Sequence, residues 1–75
     1  MESHTETEAI NHLRAIRTAQ KLSVWGLAAR AKTSATTVSA IERWGYRPGK
    51  DLSERLAAAL EVKVTDIWPD GESAA

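Results

Sequence analysis

Cysteine is absent from the 75 residues, so neither a disulfide framework nor a thiolate-bound metal holds this chain together, and packing alone must do so. Histidine is nearly as scarce. His4 and His12 are the only two, without a metal-spaced cluster around either, and there is no glycine-rich phosphate loop and no nucleophile elbow. No constellation for catalysis remains, so an enzyme is not expected, and neither is a cofactor. No apolar run approaches the length of a membrane span, and Met1 to Ala9 carry three glutamates and no apolar stretch. A soluble, cytoplasmic protein with no membrane partner is expected. Internal repeats and strand-length β-branched runs are missing too.

A net charge is also lacking, with ten Lys and Arg against ten Asp and Glu. Taken alone this argues against a phosphate-bearing partner, which needs an excess of cations. The charge is sorted along the chain, however. Between Arg14 and Lys50 stand eight basic residues (Arg14, Arg17, Lys21, Arg30, Lys32, Arg43, Arg47, Lys50) and one acid, Glu42, which leaves that segment at +7. The other acids lie before it, at Glu2, Glu6 and Glu8, or after it, from Asp51 to Glu72, where Arg55 and Lys63 are the only cations.

What the chain does have is apolar residues at helical spacing. Ile10, Leu13 and Ile16 predict a first helix starting near Thr7 and ending about Leu22. Ser23 reads as the N-cap of a short second helix reaching Ala31, Lys32 and Thr33 as a turn, and Ser34 as the N-cap of a third helix that carries Val38 and Ile41 inward. Gly45 ends that helix, and Gly45 to Gly49 form an exposed basic loop in which Pro48 disfavours helix at Arg47. Leu52, Leu56, Ala59 and Leu60 predict a fourth helix from about Lys50, followed by a last short turn through Ile67 and Trp68 that Pro69 stops. The expected division is a disordered acidic leader at 1–7, one domain at 8–68 and a flexible tail at 69–75. A core this small has a narrow stability margin, so self-association is expected.

Two short serine-capped helices joined by a tight turn make a helix-turn-helix pattern. The residues Leu22-Ser23, Leu27-Ala28, Ser34, Thr37-Val38-Ser39, Ile41-Glu42-Arg43, Pro48, and Leu56 to Leu60 with Val62 resemble the Cro and repressor type of helix-turn-helix family, often called XRE-like. The resemblance spans roughly Glu8 to Trp68. It implies an all-α, compact, five-helix, lambda-repressor-like domain. It also implies sequence-specific binding of double-stranded DNA by a repressor-like transcriptional regulator, acting as a homodimer and nucleoid-associated when bound.

Carried over residue by residue, the resemblance puts a recognition helix at about 35–44 in the major groove, with Ala35, Thr36, Thr37, Ser39 and Ala40 facing bases. It puts Ser34, Arg43, Arg47 and Lys50 against phosphate, and joins Arg17 to Glu42 in a structural ion pair. The base-facing residues are small; they offer thymine-methyl contacts and short hydroxyls rather than bidentate pairing, so DNA shape should carry part of the preference. Two positions depart from the family pattern: Val24 stands where glutamine commonly contacts phosphate, and Lys32 stands where the turn often has glycine and a positive φ is expected. Trp25, Trp44 and Trp68 are a possible partner interface; Trp68 replaces an apolar family position and is most simply core or part of a two-fold contact, while Trp25 and Trp44 match usually exposed positions, with mutual or edge-of-core packing or a DNA-backbone contact as the other readings. A protein-interaction or antitoxin-like module on the same fold is the alternative.

Overall fold

The computed structural model describes residues 11–69, so the acidic leader, the expected helix start near Thr7 and the tail beyond Pro69 lie outside the described residues. Among those residues there are five helices and no strand. They are α1 (Leu13–Ala19), α2 (Val24–Ala31), α3 (Ala35–Ser39, continuing as a π-helical turn over Ala40–Trp44), α4 (Lys50–Leu60) and α5 (Val64–Ile67).

Each helix sends at least one side chain to a common centre. Leu13, Leu27, Val38 and Ile41, Leu56 and Leu60, and Ile67 are fully buried, and Trp68 closes the cluster at 4% exposure. Burying a side chain of this size contributes about 1.5–3 kcal/mol. α2 packs mainly on α4 and α3. That arrangement holds the second and third helices, and the turn between them, as one rigid unit.

The first helix is shorter than its periodicity suggests. The Asn11 side-chain carbonyl accepts the Leu13 N–H at 2.9 Å, and Asn11 and His12 are not helical, so the described helix begins at Leu13. At its other end, Lys21 turns left-handed (φ 59°) and the chain leaves the helix before Leu22. The Leu22 N–H returns to the Arg17 carbonyl and the Lys21 N–H to that of Thr18, the paired bonds of a Schellman ending.

The same device recurs twice. After α2, Lys32 is left-handed (φ 59°), with Thr33 N–H bonded to Ala28 O and Lys32 N–H to Ala29 O. After α4, Glu61 is left-handed (φ 59°), with Val62 N–H bonded to Ala57 O and Glu61 N–H to Ala58 O. Three helices thus end on non-glycine residues in a conformation that favours glycine.

The end of α3 departs from a plain α-helix. Over Ala40–Trp44 the backbone widens to a π-turn, the Gly45 and Tyr46 N–H groups both reach back to the Ala40 carbonyl, and Gly45 (φ 75°) reverses the chain. The Ile41 carbonyl takes its bond instead from the Asn11 side-chain amide at 2.9 Å. Asn11 therefore serves two helices, starting α1 with its oxygen and satisfying α3 with its nitrogen.

Candidate nucleic-acid interface

Ser34 opens α3 by accepting the Thr37 N–H at 3.0 Å, and its hydroxyl also lies 2.9 Å from that of Thr37. Of the two hydroxyl protons, one is used between the side chains and one remains for an outside acceptor. Thr36 is exposed, while Ala35, Thr37, Ser39 and Ala40 are half-buried. The surface of α3 is therefore made of methyls and short hydroxyls, with no long polar side chain before Glu42.

Glu42 points inward. Arg17 donates to it through Nε (2.7 Å) and Nη2 (3.0 Å), a two-pronged pair, and donates through Nη1 to the Leu22 carbonyl at 2.8 Å. Both side chains are buried, at 11% and 5% exposure. The hydrogen bond to Glu42 and its negative charge together raise the Arg17 guanidinium above its ordinary value, against the opposing effect of burial.

The pair has an electrostatic consequence outside itself. It cancels the one acid of the +7 segment in the interior, and the remaining seven cations (Arg14, Lys21, Arg30, Lys32, Arg43, Arg47, Lys50) are all exposed. Three of them gather where α3 ends: Arg43 in its π-turn, Arg47 on the loop that Gly45 begins, and Lys50 at the start of α4. Lys50 lies 3.6 Å from Glu54, one turn on in α4, with both side chains mostly exposed, so this pairing is weak. Arg47 lies with its guanidinium 4.9 Å from the centre of the Trp68 ring, a cation–π contact that holds the loop against the last turn of the fold. A recess of about 470 Å³ lined by Arg47, Pro48, Lys50 and Ser53 runs beside it.

The tryptophans separate. Trp68 is core, 4% exposed, packed in the central cluster with Arg47 over its ring, so of the three it offers no open face to a partner. Trp25 and Trp44 are 75% and 77% exposed, so packing at the edge of the core does not explain them. Tyr46 is exposed as well.

Arg55 is a participant the sequence reading passed over. From α4 it donates through Nη1 to the carbonyl of Lys32 at 3.0 Å, fastening the turn between α2 and α3. The Asp51 carboxylate lies 3.2 Å from its Nε without aligning for a hydrogen bond. The i,i+4 spacing of Asp51 and Arg55 was visible in the sequence; the carbonyl partner 23 residues away was not. Asn11 did carry a signal, an asparagine two residues before a helix. The three-residue interval from Ile10 to Leu13 masked it.

A family model described as helix-turn-helix matches residues 13–67, from the first residue of α1 to the last of α5. The match covers well over half of the chain, and the chain belongs to this family, the XRE family of helix-turn-helix proteins. It is a family of DNA-binding transcription regulators, typically without enzymatic activity. No curated protein shows significant similarity to the chain. No helix among the described residues is long and apolar enough to cross a membrane.

Proposed function

We propose that this protein is a repressor-like, sequence-specific regulator that binds duplex DNA as a homodimer, with α3 in the major groove and the loop after it on the phosphates. The observation that carries the reading is the sorting of charge: the one acid of the central segment is consumed by Arg17 inside the fold, and seven cations remain on the surface around a helix-turn-helix. Phosphate contacts then supply most of the affinity, through Arg43, Arg47 and Lys50 where α3 ends and the Ser34 hydroxyl where it begins. Base preference comes from Ala35, Thr36, Thr37, Ser39 and Ala40 touching thymine methyls and accepting or donating single hydrogen bonds, and from the deformability of the site. Such a protein works in the cytoplasm, on the nucleoid.

The test is binding to a random-sequence duplex over a salt series. The logarithm of the affinity should fall linearly with that of salt, and Arg43→Ala should reduce the magnitude of the slope by about 0.9 on every sequence alike. Thr36→Ala should change the ranking of sites selected from a random pool and leave the slope alone. No binding, or a response flat in salt, rejects the reading. Exposed Trp25 favours one second reading, a protein-interaction or antitoxin-like module, which such a result would support.

A further inference from the structure

The stretch from Arg43 to Lys50, which holds three of the proposed phosphate contacts, also carries two aromatic rings, Trp44 at the end of the π-turn and Tyr46 on the loop. Arg43, Trp44, Gly45, Tyr46 and Arg47 alternate basic and aromatic residues about a left-handed glycine, and all four side chains are exposed. Trp44 does not reach the surface by default. In an α-helix it would fall three residues after the fully buried Ile41, at the edge of the buried stripe. The π-turn over Ala40–Trp44 advances each residue by less than 100°, which rotates the indole off that stripe and leaves it 77% exposed. An irregular backbone, tied down by the Asn11 amide on the Ile41 carbonyl, thus presents an apolar ring between two arginines.

The charge around the rings selects the occupant. A surface flanked by Arg43, Arg47 and Lys50, whose one acid lining the adjoining recess is Glu54 in a weak pair with Lys50, stays net positive beside the rings and is complementary to a polyanion whose backbone lies beside flat apolar faces, which describes nucleic acid.

We propose that Trp44 stacks on a nucleobase face at an unstacked or kinked step of the bound duplex, with the exposed Tyr46 two residues on across Gly45, while Arg43 and Arg47 hold the flanking phosphates. The inference rests on the DNA-binding reading above and deepens it. It supplies the discrimination that the methyls and hydroxyls of α3 lack, because the ring enters most easily where the sequence gives way, as at TA and CA steps. Trp44 is then a specificity-determining residue acting through DNA deformability, and the arginines set affinity without choosing sites.

Two fluorescein-labelled 20-base-pair duplexes provide the test, one fully paired and one with a central two-base mismatch that is already unstacked. The wild-type protein is expected to bind the mismatched duplex several-fold more tightly. Trp44→Ala should weaken binding to the mismatched duplex about tenfold, the size of one lost base–aromatic stack, and remove the preference, with the salt slope unchanged. Trp44→Phe should restore most of both. Equal loss on the two duplexes, or wild-type affinity and preference in Trp44→Ala with an unaltered helical circular dichroism spectrum, overturns the stacking contact and leaves the DNA-binding reading standing. Absence of binding by the wild-type protein to either duplex overturns both.

Discussion

Arg17 concentrates three hydrogen bonds in one buried side chain, two to Glu42 and one to the Leu22 carbonyl, and so joins α1, the α1–α2 connection and α3. Removing one partner leaves the other charged and nearly without solvent. Glu42→Ala is therefore expected to destabilise the domain by about 3 kcal/mol in urea denaturation, and the double change Arg17→Met with Glu42→Leu by clearly less than the two single changes combined. The pH behaviour follows from the direction of the shift. Arg17 titrates higher in the folded than in the unfolded chain, so its contribution is fully present below the unfolded value and is lost only as pH rises through the folded one. The cost of Arg17→Met should accordingly be the same at pH 7 and pH 10. A cost that shrank over that interval would mean that the guanidinium is not held as described.

At the level of helices, the three Schellman endings are places where the chain works against itself. Lys21, Lys32 and Glu61 all hold φ near 59°, where a Cβ is crowded. Glu61 is exposed and lies outside the basic segment, which makes it the cleanest probe: Glu61→Gly should raise stability by about 1 kcal/mol and the melting temperature by about 4–8 °C in a domain of this size. Asn11→Ala removes the start of α1 and the bond to Ile41 together, and a loss of about 1–2 kcal/mol is expected from thermal denaturation.

These details mark what periodicity conveys. Four helices and the serine caps at Ser23 and Ser34 could be read from apolar spacing and cap chemistry, because both are local, while the fifth helix and the left-handed Lys32 are implied by the family pattern. The chain's departure from helix at Lys21, the π-turn and the Arg55 clamp on Lys32 could not. The first is a lysine in a glycine's conformation, and the other two depend on partners remote in sequence. The candidate site was legible as a charge pattern and a family pattern, and the apolar family position of Trp68 already set it apart from Trp25 and Trp44; that the last two stand clear of the core required the packing.

Over the whole molecule, a net charge of zero conceals a segregated surface, with seven exposed cations between Arg14 and Lys50 and acids concentrated beyond them. The margin of stability in so small a core makes each fastening matter. Among these, the contact of Arg47 with Trp68 links the basic loop to the end of the fold, and Arg47→Ala should cost about 0.5–1 kcal/mol of stability where Arg43→Ala costs nothing measurable. A guanidinium stacked on a ring keeps its N–H donors in its own plane, so Arg47 can lie over the indole and still direct donors outward to a phosphate. DNA held by Arg47 in that pose should stabilise its seat on Trp68, and a substitution that unseats Trp68 should weaken DNA binding by the same factor, since coupling between two sites is reciprocal. The closing turn of the domain is then coupled to the loop, and with Trp25→Phe and Trp44→Phe leaving Trp68 as the one tryptophan, a change in its emission on adding DNA, abolished in Arg47→Ala, would register it.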